Sequence, residues 1–96
     1  MSLRQIRAES FRLSILIALV NEPSYRMNDS EIRTVCAHFG NSMSSDECRG
    51  NLHWLETQGL VTLDSHTGYT IAKLTTQGQD VAEGIITWPG VKRRRA

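Results

Sequence analysis

No apolar run in this chain approaches the roughly 18 residues that a membrane-spanning helix needs. The longest stretch, Leu13 to Val20, is short and interrupted by Ser14. The N-terminus has no signal-peptide cleavage pattern. No membrane role is expected, and the chain reads as cytoplasmic. Cysteine is scarce too: there are 2, Cys36 and Cys48. Without neighbouring ligands they read as small buried hydrophobes in reduced form. The 3 histidines, His38, His53 and His66, form no ligand pair one helical turn apart, and metal sites need more ligands at tighter spacing. Cys36 and His38 are two apart, so on a helix they diverge. There is no Gly-rich phosphate loop, no nucleophile beside a base and no metal-ligand cluster. The chain is therefore expected not to be an enzyme and to carry no cofactor or metal. A metal or redox sensor built on Cys36 and Cys48 would need reactive, accessible thiols.

Internal repeats are missing as well, and only the C-terminus is compositionally biased. The 96 residues suffice for one domain with a small core, which dimerisation would help to stabilise. Residues 1–88 read as that domain and residues 89–96 as a basic tail. The net charge is +1, yet Lys92, Arg93, Arg94 and Arg95 supply four of the positive charges. Removing those four from +1 leaves residues 1–91 at −3. A DNA-binding body would more comfortably be basic, because phosphate neutralisation supplies most non-specific affinity.

Leu3 to Asn21 read as one long helix. Leu3, Ile6, Ser10, Leu13, Ile17 and Val20 recur at three- and four-residue spacing, and Ala8, Phe11, Ile15 and Ala18 add a second stripe. A helix apolar on most of its circumference needs cover on more than one side. The other helices or a second subunit can supply it. The expectation is a homodimer contact through Leu3, Ile6, Phe11, Ile85 and Trp88. Pro23 ends the helix. Tyr25, Arg26 and Met27 form a connector with room for a short strand.

The second helix starts at Asn28 or Asp29, either of which can cap it, and runs to about His38. Ile32, Val35, Cys36 and Phe39 give its inward face. Ser44 opens the third helix, and Glu47 three residues on matches a capping box. Cys48, Leu52 and Leu55 face inward, with Asn51 on the margin. Ser45, Asp46, Arg49, Gly50, His53 and Glu56 face outward. Trp54, between these faces, reads as a packing residue. His53 and Glu56 are spaced for a surface contact.

Gly59 can end the third helix in the left-handed conformation, with Leu55 and Leu60 in the accompanying apolar contact. Leu60 to Asp64 and Tyr69 to Leu74 read as paired strands around a Ser65 to Gly68 turn. Val61 and Leu63 alternate, as do Tyr69 and Ile71. Thr75 caps a last helix whose apolar face runs through Val81, Ala82, Ile85 and Ile86, with its end blurred by Gly84. Trp88-Pro89-Gly90 ends regular structure.

The stretches Trp54 to Val61 and Leu74 to Ala82 are similar to winged helix-turn-helix regulators of the ArsR and MarR type. In those families a Leu-Glu pair closes the recognition helix before a Gly-Leu-Val entry into the wing. A Leu-Thr-x-x-Gly pattern opens the helix after it. The resemblance covers about residues 5–85. The short length and the Pro89-Gly90-Val91-Lys92-Arg93 ending are also similar to small ArsR-like proteins of Mu-like prophages. The fold class implied is mostly α with a small β-hairpin, a winged helix-turn-helix. The resemblance implies a homodimer with two recognition helices about one DNA turn apart. Ser45, Asp46, Glu47, Arg49 and Gly50 would face the major groove, and His66 would sit at the wing tip near the minor groove. Two features depart from the pattern. The reading face sets Asp46 and Glu47 against one Arg49, and the wing tip carries no Lys or Arg. The paired cysteines of the ArsR metal-sensing motif are absent, and Cys48 alone does not replace them.

Two functions follow from these expectations. The first is a DNA-binding transcriptional regulator of double-stranded DNA. Ser45, Arg49, Asn51 and His53 on the third helix would meet bases or phosphates, His66 would act at the wing, and Lys92, Arg93, Arg94 and Arg95 would follow the phosphate backbone. The third helix N-terminus can also accept a phosphate, against competition from Asp46 and Glu47. The tail reads equally well as a solvated end. The second function is a protein-interaction or assembly module that binds no DNA. The acidic body, the apolar first helix and Ile85-Ile86-Thr87-Trp88 favour it.

Overall fold

Each helix begins where a polar side chain satisfies backbone N–H groups that the helix itself leaves free. The computed structural model describes residues 1–94. In it α1 (Leu3–Asn21) starts on Ser2, α2 (Asp29–His38) on Asn28 and α3 (Ser45–Thr57) on Ser44. All three are reciprocal capping boxes, completed by Gln5, Glu31 and Glu47. Thr75 caps the short α4 (Thr76–Ala82). Strands β1 (Arg26–Asn28), β2 (Val61–His66) and β3 (Tyr69–Leu74) form one antiparallel sheet in the order β1-β3-β2. Among the described residues the fold is thus four helices and a three-stranded sheet, mostly α.

α3 ends in the expected way. Gly59 takes a φ of +75°. The Leu60 N–H donates to the Leu55 carbonyl at 3.0 Å and the Gly59 N–H to that of Glu56 at 2.9 Å. Leu55 and Leu60, the partners in the outer of these two hydrogen bonds, are both fully buried. The same cap makes α4 shorter than its apolar pattern suggests. Gly84 has a φ of +78°, and the Ile85 N–H donates back to Asp80. Ile85 and Ile86 therefore lie beyond the helix, and Ile85 is 68% exposed.

The hairpin also differs from the expected one. β2 continues to His66, so the turn is Thr67-Gly68 alone. The inward side of β3 is Ala72 and Leu74, opposite Leu63 and Val61. Tyr69 and Ile71 pair with His66 and Asp64 on the outer face. In a pleated strand that choice moves every second side chain from core to surface.

The core gathers Ile15, Leu16 and Leu19 of α1, Ile32 and Cys36 of α2, and Cys48, Leu52 and Leu55 of α3 over the inner sheet face. From Phe11 to Leu19, α1 is covered by α2, α3, α4 and β3 of its own chain. Phe11, expected at a dimer contact, is only 3% exposed and belongs to this core. Leu3 and Ile6, one to two turns earlier, stay exposed. After α4 the chain runs back across the body. Val91 is buried, the Lys92 N–H donates to the Glu9 carbonyl at 3.2 Å, and the Trp88 indole N–H donates to Gln58 Oε1 at 3.0 Å. Among the described residues no helix is long and apolar enough to cross a membrane.

Candidate functional site

The outward face of α3 is the focus of the sequence-based expectations, and it divides into free and engaged residues. Arg49 and His53 are exposed, and Ser45 is half-buried in the first turn. Arg49 Nη2 donates to Asp46 Oδ1 at 2.6 Å, one turn back on the same helix. Gly50 is exposed between them and His53. No hydrogen bond or ion pair joins Glu56 to His53; the Glu56 Oε2 accepts from the Leu63 N–H of β2 at 3.3 Å.

Glu47 does not oppose that face. Its Oε1 accepts from the Ser44 N–H at 2.9 Å, and its Oε2 from Arg7 Nε of α1 at 3.2 Å. The cap hydrogen bond from Ser44, followed by the bond from Arg7, holds the carboxyl below its usual range. Arg7 lies on the other side as a flat cation over Phe11, 4.6 Å from the ring centroid.

Asn51, expected to contact DNA, is buried. Its Oδ1 accepts from Arg12 Nε at 3.1 Å, which removes it from the surface available to a base. Arg12 is the residue that sequence reasoning missed. Its Nη1 donates to the Gly90 carbonyl at 2.9 Å, and its guanidinium lies over the Trp54 ring. Burial lowers its pKa, with Glu9 opposing the shift. A guanidinium nevertheless stays charged in any accessible pH range. The available signal was a lone cation between Phe11 and Leu13, inside an otherwise apolar stripe.

α1 and α3 thus border a groove. Arg4, Arg7 and Arg12 line the α1 side, and Glu47, Gly50 and Trp54 line the α3 side. The remaining expected residues fall elsewhere. His66 is at the end of β2, stacked on Tyr69 at 4.8 Å between centroids, with Nε2 3.1 Å from Asp64 Oδ2. Lys92, Arg93 and Arg94 are exposed, and Arg94 Nη1 donates to the Ala82 carbonyl at 2.8 Å. Arg95 lies outside the described residues. Trp88 is half-buried. Cys36 and Cys48 are both fully buried, and burial pushes their thiols up to about 12 and about 11. Neither supplies a thiolate near neutrality, so reactive-thiol sensing finds no support here.

Two relatives share much of this chain. "Uncharacterized protein gp26" of Escherichia phage Mu is 38% identical over 93 residues, covering 97% of this chain and 96% of that protein. An uncharacterized protein of Haemophilus influenzae is 33% identical over 76 residues, covering 78% of this chain and 74% of that protein. No family model matches the chain. No solved structure matches it. With most of both sequences aligned at this identity, the chain belongs to the family of phage Mu gp26.

Proposed function

We propose that this chain is a dimeric DNA-binding transcriptional regulator of the winged helix-turn-helix type, acting in a phage or prophage setting. The element order carries the reading. α2 and α3 form the helix-turn-helix, and α3 passes through the Gly59 cap directly into the β2–β3 hairpin. β1 edges the sheet and α4 follows. That layout resembles the ArsR and MarR types, with α3 as recognition helix and β2–β3 as wing. The relationship to a phage protein supports the setting.

The acidic count of α3 weighs less than its composition suggests. Glu47 is turned to Ser44 and Arg7, and Asp46 is matched by Arg49. An exposed pair like Asp46–Arg49 is worth under about 1 kcal/mol, so Arg49 can leave it for a guanine edge. Ser45 and His53 share the helix, His66 would act from the wing, and Lys92 to Arg95 would add phosphate contacts.

Fluorescence anisotropy of a labelled mixed-sequence duplex tests this. Binding at roughly 50 mM salt should fall steeply as salt rises, and Arg49→Ala should weaken it. No binding at that salt would overturn the reading in favour of a protein-interaction module. The observation favouring that second reading is the 68% exposed Ile85, followed by exposed Ile86, on a body of net charge −3.

A further inference from the structure

We infer that the groove between α1 and α3 seats a DNA phosphate backbone, with Gly50 as its point of closest approach and Arg4 and Arg7 as its cationic wall. This rests on the DNA-binding reading and specifies which surface beyond α3 takes part.

Gly50 is the starting observation. It lies in the middle of α3, where glycine weakens a helix relative to alanine. Its φ is not in the left-handed region, so the backbone does not require glycine there. A Cβ built on it meets nothing within 4 Å, so internal packing does not require glycine either. What glycine provides here is open space beside the helix backbone, into which a partner can come close.

The groove beside Gly50 identifies the partner's chemistry. Arg4, Arg7 and Arg12 come from α1 and face it together, while Glu47 is its one acidic lining residue. The lining is therefore +2, on a body of residues 1–91 at −3. A positive groove on a negative body concentrates an anion at that place. Arg4 is exposed and has no ion-pair partner among the described residues. Arg7 shares Glu47 with the α3 cap, and Arg12 is fixed over Trp54 at the far end. Arg49 directly precedes Gly50. A strand whose bases meet Arg49 carries its phosphates past Gly50 toward Arg4 and Arg7.

The test uses the full chain and duplex DNA. Gly50→Ala should raise Tm by about 4–8 °C, because the helix gains alanine without a clash. The same variant should bind duplex at least about tenfold more weakly, the opposite direction from its stability. Arg4→Ala should flatten the slope of log K against log salt by about 0.9 without altering sequence preference. Arg49→Ala should alter that preference. If wild type binds DNA and both Gly50→Ala and Arg4→Ala bind like it, the groove assignment is overturned while the DNA-binding reading stands. If wild type binds no duplex at any salt, the DNA-binding reading fails and the groove assignment with it.

Discussion

The Arg12 guanidinium lies over the Trp54 indole, 3.9 Å from the ring centroid, and joins three parts of the chain that are distant in sequence. It belongs to α1, it stacks on α3, and it donates both to Asn51 of α3 and to the Gly90 carbonyl of the C-terminal segment. A planar cation with several fixed donors suits this position, and an ammonium does not. Arg12→Ala should cost about 2–3 kcal/mol. The loss combines a stacked cation with two acceptors left short of a donor. Arg12→Lys should recover little of it. Urea unfolding at neutral pH measures both, and a loss below about 0.5 kcal/mol in Arg12→Ala would show the contact to be superficial.

Glu47 makes acid stability depend on the start of α3. Its folded pKa is depressed, chiefly by the Ser44 N–H bond and next by Arg7. A depressed carboxylate contributes stability that is present above the unfolded pKa of about 4.3. That contribution is lost as pH falls through the lower folded pKa. Because the side chain is 39% exposed, solvent screening keeps the contribution small. Glu47→Gln should therefore flatten the fall in Tm between about pH 5 and pH 3. An unchanged acid limb in Glu47→Gln would remove Glu47 from the account.

These two residues also show what was legible in the sequence. The start of α3 was readable because Ser44 and Glu47 are three residues apart and act locally. The Gly59 exit was readable for the same reason, since its donors and acceptors lie within six positions. The inward side of β3 was not. Tyr69 and Ile71 are more apolar by eye than Thr70 and Ala72, and only pairing with Val61 and Leu63 selects Ala72 and Leu74. Within the candidate site, the exposure of Arg49 and His53 followed from helical spacing. The burial of Asn51 did not, because its partner Arg12 is 39 positions away. The end of α4 was blurred by one glycine whose cap depends on Asp80 and Val81 carbonyls.

Gly78 is the counterpart of Gly50. It is fully enclosed at the start of α4, and a Cβ there would fall on the Leu60 carbonyl oxygen and within 2.7 Å of Leu74 Cδ1. That carbonyl cannot yield freely, because it accepts from both the N–H and the hydroxyl of Thr75. Gly78→Ala should destabilise by about 1–3 kcal/mol through overpacking, despite the better helix former. Thermal unfolding of Gly78→Ala should show a lower Tm than wild type; an equal or higher Tm would mean the α4 start can shift.

Cys36 and Cys48 should be unreactive in the folded protein. Burial raises both thiols, to about 12 and about 11, so the thiolate fraction at neutral pH is very small. Alkylation at pH 8 should proceed at the rate of unfolding rather than at the rate of a free thiol. Rapid labelling of native protein would place at least one cysteine at the surface and reopen a sensor role.

The homodimer proposed with the DNA-binding reading can be separated from the stability of the single chain. Leu3 is 80% and Ile6 47% exposed at the start of α1, and Ile85 is 68% exposed after α4. The helical pattern also puts Phe11 in the dimer contact, but it is 3% exposed and packed in the core. The two groups should therefore respond differently to substitution. Leu3→Glu with Ile85→Glu should lower the mass measured by light scattering to that of one chain and leave Tm at low protein concentration nearly unchanged, since exposed positions usually shift stability little. Phe11→Ala should instead lower stability by about 3–5 kcal/mol at every protein concentration. A wild-type protein that scatters as a single chain throughout the micromolar range would refute the dimer and leave the exposed apolar residues to another partner.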